Sequence, residues 1–337
     1  MVVAEIPPGT GSAPLPFANL DPDCVLSAIE ALGWRCTGRL FPLNSFENRV
    51  YQVEIDEQAP LIAKFYRPGR WSDAAIGEEH AFLSELRDAE LEVVAPLAID
   101  GCTLFHHAGH RYSLWPRVGG RAPDLEQPAQ LEQLGRTLGR LHQVGAAQPF
   151  RHRIALTPAT AAEDLQELLH SEWLPTYLAD NLGALGAALQ PHLQQAWQLL
   201  QPVSFRIHGD LHAGNLLARE PHLWLVDFDD CLSGPAVQDL WMLLDSDSEL
   251  RNQQVDALLE GYSLFRDFDE DELGLIEALR TLRILRHSAW ISRRWADPAF
   301  PRAFPWFATP NHWESLVRHL QEQLSLLQEG VGRSGNH

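Results

Sequence analysis

The sequence predicts an α+β protein of two lobes, a small antiparallel-sheet lobe at the N-terminal end and a larger, mainly helical lobe after it. Three observations lead to this fold class. Alternating apolar residues, typical of strands, recur through residues 21–116, which also contain one internal helix. Residues 117–330 show repeated amphipathic helical patterns and few strand-like stretches. Glycine and proline are concentrated in residues 116–123, which is typical of a hinge between the two.

In the N-terminal part, each element follows from a local pattern. Residues 1–20 are rich in proline, glycine and alanine and predict a loose leader. A first helix follows, with Asp21 or Asp23 as its N-cap, and a second helix begins at Ser72 or Asp73 for the same reason. Strands are expected at 38–43, 48–55, 60–66, 93–105 and 110–116.

In the C-terminal part, apolar residues recur with the spacing of a helix face. Helices are expected at 125–144, 161–182, 184–201, 235–246, 252–264, 270–296 and 311–328. Strands are expected at 203–207 and 222–228.

The composition excludes several classes of partner. A net charge of −19 repels nucleic-acid phosphates and anionic lipid, whereas it is compatible with a cationic substrate or with a role in solubility alone. The four cysteines form no paired motif, and neither a signal peptide nor an apolar run long enough to span a bilayer is present. We therefore expect a cytoplasmic protein, acting as a monomer, that binds neither nucleic acid nor membrane.

The strongest functional pattern begins in residues 205–217. It places His208, Asp210 and Asn215 in one loop, with the amide five residues after the carboxylate. A short apolar stretch then ends in Asp227, which indicates a buried strand that presents a carboxylate at its tip. This order and spacing match the catalytic-loop pattern H-x-D-x-x-x-x-N followed by a metal-binding aspartate.

Transfer of a phosphoryl group from ATP requires these residue types. Asp210 would orient the acceptor hydroxyl and receive its proton, while Asn215 and Asp227 would supply hard oxygen ligands for Mg²⁺. Because Asp and Asn also favour turns, a purely structural role is the alternative. His208 is expected to be a core histidine with its hydrogen bonds satisfied, and a direct catalytic role is the alternative.

A single lysine, Lys64, stands in this chain beside 25 arginines. It ends an L-I-A-K strand that parallels the V-A-I-K strand of kinases, whose lysine contacts the ATP phosphates. In the helix that follows, Glu79 falls near the middle of the apolar stripe, whereas Glu78 lies about 95° away. Since a buried carboxylate needs a partner, Glu79 is expected to pair with Lys64, although a boundary glutamate that reaches solvent is the alternative.

Further segments also carry functional expectations, and two of them allow more than one interpretation. Residues 43–49 lie where kinases carry a glycine-rich phosphate loop but contain no glycine, so Ser45 is either a phosphate contact or part of an ordinary polar hairpin. Residues 112–116 are expected to supply the backbone that faces adenine. An arginine-rich stretch could bind phosphate or an acidic partner, or form surface ion pairs; it comprises Arg280, Arg283, Arg286, Arg293, Arg294 and Arg302. In the N-terminal part, the three histidines His106, His107 and His110 are interpreted as surface residues.

Taken together, these motifs resemble the aminoglycoside phosphotransferase and choline kinase-like branch of the protein-kinase superfamily. The H-G-D-L-H-x-G-N run at 208–215 and the G-P-A-V-Q-D-L run at 234–240 are typical of that branch. More narrowly, the chain resembles the bacterial stress response kinase A family. The segments that carry this resemblance are 42–51, 64–71, 214–244 and 293–301.

The resemblance implies a bilobal protein-kinase-like fold and a cytoplasmic Ser/Thr protein kinase that uses ATP and Mg²⁺. It makes Asp210 the proton acceptor, Asn215 and Asp227 the Mg²⁺ ligands, Ser45 an ATP contact and Asp239 an anchor for the catalytic loop. The substrate would be a protein or, in the alternative, a small-molecule alcohol such as an amino alcohol, an aminoglycoside or a sugar. A catalytically silent scaffold is the third possibility.

Departures from ordinary protein kinases lie close to the motif. Gly209 replaces an arginine, and Asp229 replaces the glycine of D-F-G. Gly234 follows Asp227 by only seven residues, too few for a phosphorylated activation loop. We therefore expect activity that needs no phosphorylation of residues 228–234.

Overall fold

The N-terminal lobe is a five-stranded antiparallel sheet with strand order β1-β2-β3-β5-β4. The computed structural model describes residues 16–245 and 247–334, so most of the leader expected at 1–20 lies outside the described residues. The elements of this lobe are α1 (Pro22–Glu30), β1 (Cys36–Leu43), β2 (Arg49–Ile55), β3 (Leu61–Phe65), α2 (Asp73–Asp88), β4 (Phe105–His107) and β5 (His110–Pro116).

Helix α2 packs across the sheet and brings one charged residue into the interior. Ser72 is its N-cap, with the Ser72 hydroxyl accepting from the Ala75 N–H at 3.1 Å. The face that carries Ile76 and Phe82 is buried, and Glu79 lies fully buried on that same face. Strand β3 pairs Lys64 with Val50 on one side and Ser113 on the other, which places the lysine in the middle of the sheet.

The prediction of a strand at 93–105 is wrong for most of these residues. Only Phe105–His107 forms a strand, and the preceding chain is irregular apart from single bridges at Val93 and between Ile99 and Cys102. The physical reason is a tight turn at Asp100 and Gly101, which have φ of +51° and +79° and so interrupt an extended chain.

The second lobe is mainly helical, with two small strand pairs at its cleft side. Strand β6 pairs with β9, and β7 pairs with β8. Its elements are α3 (Pro128–Gly145), α4 (Ala159–Leu169), α5 (Thr176–Leu200), β6 (Phe205–Ile207), β7 (Leu216–Arg219), β8 (His222–Leu225), β9 (Leu232–Gly234), α6 (Ser248–Tyr262), α7 (Ile276–Arg294), α8 (Ala299–Ala303) and α9 (Pro310–Ser334).

The helix expected at 235–246 is also wrong. Two single turns of 3₁₀-helix, Ala236–Asp239 and Trp241–Leu243, take its place. Every side chain from Ala236 to Asp239 is buried, so this segment has no solvent face and cannot form an amphipathic helix. Its short turns instead direct the Asp239 carboxylate onto the neighbouring loop.

The α+β, two-lobed fold class is confirmed. We propose that the lobes divide after residue 116, where β5 ends and the linker begins. Apolar residues of α2, including Phe82 and Leu86, pack with those of α3, including Leu134 and Leu138, and thereby join the lobes in one core. Among the helices of the described chain, none combines the length and the apolar character needed to cross a bilayer.

Candidate active site

The loop after β6 is held by one buried carboxylate. Asp239 is completely buried and accepts hydrogen bonds from the backbone N–H groups of His208, at 2.7 Å, and Gly209, at 2.8 Å. Gly209 has φ +84°, which favours glycine, and an added Cβ would lie 2.6 Å from the Asp230 carbonyl oxygen. These contacts fix the backbone immediately before Asp210, as expected for an anchor at Asp239.

Hydrogen bonds connect this loop to the strand end that carries Asp227. The Asn215 Nδ2 donates to the Asp210 carbonyl oxygen at 2.9 Å, so the loop closes on itself. The Val226 N–H donates to the Asn215 carbonyl oxygen at 3.1 Å, and the Val226 carbonyl oxygen lies 2.9 Å from the His208 ring nitrogen. The structure therefore brings Asp210, Asn215 and Asp227 together around neighbouring backbone segments, and His208 is a buried supporting residue.

The side chains of Asn215 and Asp227 fit a hard divalent cation. Because the Asn215 Nδ2 is engaged with Asp210, its Oδ1 is the atom left to act as a ligand, and no described residue donates to it. Asp227 has φ +61°, and its carboxylate is 61% exposed toward the cleft. An amide oxygen and a carboxylate oxygen are the ligand types that Mg²⁺ prefers.

Lys64 lies among three carboxylates. Its Nζ is 2.8 Å from Asp229, 3.4 Å from Glu79 and 3.8 Å from Asp227. Burial by itself would lower the pKa of Lys64, but the neighbouring Asp229 and Glu79 raise that pKa well above its usual value. The ammonium group is therefore charged. It lies beside Glu79, the partner expected from the sequence, although Asp229 is closer.

Two arginines complete this cluster, and no local pattern in the sequence identifies either of them. Arg153 is buried and donates to the Glu79 carboxylate at 2.7 Å and to the Asp229 carbonyl oxygen at 2.7 Å. Arg70 bonds the side chains of Asp229 and Asp230. Burial favours a raised pKa for Asp229, yet Arg70 and Lys64 hold the pKa well below its usual range.

A cavity of about 500 Å³ opens between the lobes on one side of this cluster. Ser45, Lys64, Glu79 and Asp227 all line it. Residues 112–116 were expected to face adenine, but only the last two of them line this cavity. Tyr112 and Leu114 are instead buried in the sheet. The linker supplies the remaining wall there, through Arg117, Val118, Gly119 and Gly120.

The glycine-free loop between β1 and β2 is held by side chains. Glu47 is nearly buried and accepts from the Trp290 indole N–H at 2.6 Å and from Arg294 at 2.9 Å, both on α7. Arg67 donates to the Glu47 carbonyl oxygen at 2.9 Å, and its own backbone N–H donates to the Asn48 side chain at 3.1 Å. The loop that carries Ser45 is therefore tied to the helical lobe.

A second cavity, of about 330 Å³, lies on the other side of residues 227–230 and is lined by Asp210. We call it the acceptor cavity. Helix α7 forms one wall and contributes Arg283, whose guanidinium bonds the Asp210 carboxylate. His287 lies beside it, and burial together with Arg283 lowers the pKa of this histidine, which keeps its ring neutral near pH 7.

Comparison with known proteins is consistent with this geometry. The model of the family described as "Phosphotransferase enzyme family" matches residues 40–276. Stress response kinase A of Escherichia coli (strain K12) is 41% identical over 320 residues, which cover 93% of this chain and 95% of the relative. The serine/threonine protein kinase RdoA of Salmonella typhimurium (strain LT2) has the same identity and coverage.

Two solved structures have the same fold at low sequence identity. An amicoumacin kinase in complex with AMP-PNP, Ca²⁺ and Ami has a TM-score of 0.69 and 18% identity, over 90% of this chain and 93% of that one. A microcompartment-associated aminopropanol kinase has a TM-score of 0.65 and 20% identity, over 93% of this chain and 99% of that one.

Proposed function

This chain belongs to the phosphotransferase enzyme family and is a kinase of the stress response kinase A type, and from that premise we propose that it transfers the γ-phosphoryl group of ATP to a serine or threonine hydroxyl of a protein. The observation that carries the proposal is the placement of Lys64, Asp227 and Ser45 in one cleft, next to the loop of Asp210 and Asn215. The serine/threonine kinase name of a relative that covers 93% of the chain supports the choice of acceptor.

Each residue then has a distinct part in the reaction. Asp210 accepts the proton of the acceptor hydroxyl while that oxygen attacks the γ-phosphorus and the bond to the bridging oxygen of ADP breaks. The positive charge of Lys64 stabilises the negative charge of the nucleotide phosphates, and Glu79 holds the lysine side chain in position. Asn215 and Asp227 would hold Mg²⁺, which neutralises phosphate charge when bound. Ser45 would contact the terminal phosphates from the loop above.

A small-molecule alcohol is the competing acceptor, because two structures that share the fold are by name kinases of such compounds. The motifs that hold nucleotide and metal are common to both classes, so they do not decide between them. A panel of hydroxyl acceptors with radiolabelled ATP and Mg²⁺ separates the two. Transfer to protein or peptide serine is the expected result, while turnover of a metabolite in preference to every protein would contradict the proposal.

A silent scaffold would behave differently again. Of the four side chains expected to act on nucleotide and acceptor, Lys64 and Asp227 line the cleft and Asp210 lines the acceptor cavity. Asn215 is bonded to the Asp210 carbonyl oxygen. We therefore expect ATP turnover with Mg²⁺ present. Its complete absence in folded protein, with nucleotide binding intact, would favour the scaffold.

A further inference from the structure

The acceptor cavity is lined by arginines, and this limits the chemistry of what can enter it. We propose that the acceptor carries an anionic group, a carboxylate or a phosphate, close to the hydroxyl that is phosphorylated, and that Arg283 and Arg286 bind this group. The proposal rests on the proposed function, since it assigns the class of acceptor used by that same site.

The positive charge comes from one face of α7. The residues of α7 that line the cavity fall within an arc of about 140° at 100° per residue. They include four arginines, Arg283, Arg286, Arg293 and Arg294. Arg70 adds a fifth from the sheet lobe, against the three carboxylates of Glu47, Asp210 and Asp230. A protein with a net charge of −19 thus places an excess of positive charge at this one cavity.

Three of these arginines are engaged in close ion pairs with carboxylates other than Asp210. Arg294 holds Glu47, and Arg70 holds Asp229 and Asp230. Arg293 donates to Asp164 at 2.7 Å. Their guanidinium groups position the loop between β1 and β2, the Lys64 cluster and helix α4. They are therefore not the groups that bind the acceptor.

Arg283 and Arg286 are different. The nearest described carboxylate to Arg286 is Asp230, at 3.8 Å, and no described group accepts a close hydrogen bond from it. Arg283 is bonded to Asp210 through one of its nitrogens. The side chains of Arg283 and Arg286 are 40% and 37% exposed, respectively, so both keep N–H groups directed at solvent in the cavity. A guanidinium with unused donors is suited to bidentate binding of a carboxylate or phosphate.

The contact between Arg283 and Asp210 gives this binding a second effect. While the guanidinium holds the carboxylate, it occupies the position that the acceptor hydroxyl needs. An anionic group on the acceptor competes with Asp210 for Arg283 and so releases the carboxylate toward the hydroxyl. A neutral or cationic acceptor offers Arg283 no such exchange.

A cationic acceptor is disfavoured by the same charges. An amino alcohol is an ammonium ion near pH 7 and would approach Arg283 and Arg286 within a few ångströms. The whole-molecule charge attracts cations at long range, but salt screens interactions beyond roughly 8 Å, so the groups lining the cavity decide. Of the small alcohols that the fold accommodates elsewhere, the cationic ones fit this cavity least.

Matched pairs of acceptors test the proposal. Transfer from radiolabelled ATP is measured to serine peptides with aspartate or glutamate within two residues of the serine, and to the same peptides with asparagine or glutamine there. A small-molecule arm compares glycerate with glyceramide. We expect kcat/KM to favour the anionic member by at least about tenfold, because a hydrogen bond to a charged group is worth that much or more. Which arm is active shows whether the anion belongs to a peptide or to a metabolite.

Substitutions in α7 test which arginine binds the anionic group of the acceptor. Arg286→Gln should reduce the preference for the anionic acceptor to less than about threefold while leaving KM for ATP unchanged, and Arg286→Glu should shift the preference toward peptides with lysine or arginine. Arg280→Gln is the matched control, because Arg280 pairs with Glu277 on the same helix and does not line the cavity.

The outcomes separate this proposal from the function it rests on. Transfer to serine with equal or better use of neutral or cationic acceptors would overturn the anionic acceptor and leave the kinase proposal intact. An equal loss for both members of each pair in Arg286→Gln, or a rise in KM for ATP, would also overturn it, because the arginine would then act on nucleotide. No transfer to any hydroxyl by folded, nucleotide-binding protein would remove both proposals.

Discussion

At the scale of single residues, Lys64 shows why one ammonium group stands in a chain that otherwise uses arginine. Its Nζ lies 2.8 Å from Asp229 and faces the rings of Tyr66 and Trp115, at 5.2 and 5.6 Å from their centroids. Only 7% of the residue is exposed. A planar guanidinium is wider than an ammonium and cannot take this buried position without moving one of the rings.

We expect Lys64→Arg to lower kcat/KM by at least about tenfold. The larger group keeps the positive charge but loses the position from which it faces nucleotide, and fixed position is the basis of electrostatic catalysis. Steady-state kinetics with ATP and Mg²⁺ measure this change. Arg35→Lys, in an exposed pair with Asp56, is a control for the exchange itself. Activity near wild type in Lys64→Arg would show that the lone lysine has no special role.

His80 is the buried titratable group below this cluster. Its ring bonds the Tyr66 hydroxyl and the Thr103 hydroxyl, each at 2.8 Å. Burial, followed by Lys64 and Arg153, lowers the pKa of His80 from 6.5 to about 3. The unfolded chain therefore binds a proton at His80 below about pH 6.5, while the native protein does not until the pH approaches 3.

This difference predicts that stability falls as the pH is lowered. Between about pH 5.5 and 4, His80 alone should reduce the free energy of unfolding by about 1.4 kcal/mol per pH unit. Urea unfolding at several pH values measures the slope. His80→Gln should have a smaller slope than wild type by that amount, since it removes one titrating group. Equal slopes in the two proteins would mean that His80 is protonated in the native state.

At the scale of elements, two helices with opposite charge position the groups that act on substrates. Helix α2 carries the buried Glu79 to Lys64, and α7 carries arginines to Asp210 and to the loop between β1 and β2. The loop between β1 and β2 has no glycine, so its conformation depends on these side-chain contacts. The carboxylate of Glu47 is the central one, because it accepts hydrogen bonds from both Trp290 and Arg294.

Glu47→Gln should raise KM for ATP by at least about fivefold, with a smaller change in kcat. The amide keeps the shape but loses the charge that holds Arg294, so the loop is less well ordered for the phosphates. Initial rates over a range of ATP concentrations give both constants. The exposed Glu57→Gln, in the same lobe, serves as control. An unchanged KM would show that Glu47 does not order the loop.

At the scale of the whole molecule, what the sequence could predict depended on how far apart the partners lie. The order of Asp210, Asn215 and Asp227 was readable because one loop and the next strand pair carry all three. The Ser72 cap was readable because it is local. The ion pair between Arg153 and Glu79 joins residues 74 positions apart, and no periodic pattern identifies such a partner.

Elements whose shape depends on tertiary contacts were harder to predict. The helix expected at 235–246 contains good helix formers, yet the burial of residues 236–241 and the contacts of Asp239 produce short turns instead. The arginine-rich stretch allowed both a binding role and surface ion pairs, and its members differ in the position of their partners. Arg280 pairs along its own helix, whereas Arg283 faces Asp210.

The path from Asp227 to Gly234 remains too short for a regulatory loop, so activity without phosphorylation stays a prediction. Ser233 is the sole hydroxyl residue in 228–234, and it lies in β9, with its N–H bonded to the Ile154 carbonyl oxygen at 3.0 Å. We expect Ser233→Ala to keep wild-type kcat/KM within about twofold. Loss of activity in this variant, with restoration by a phosphorylated Ser233 protein, would refute the expectation.

The central claim, that Asp210 acts on the acceptor beside a cleft built for nucleotide, is tested most directly by Asp210→Asn. Nucleotide affinity and single-turnover phosphoryl transfer are measured on the same protein. We predict that the dissociation constant for ATP with Mg²⁺ stays within about threefold of wild type while transfer falls by on the order of 100-fold or more, as for a positioned base. Transfer at the wild-type rate, or loss of nucleotide binding in parallel with transfer, would contradict the assignment.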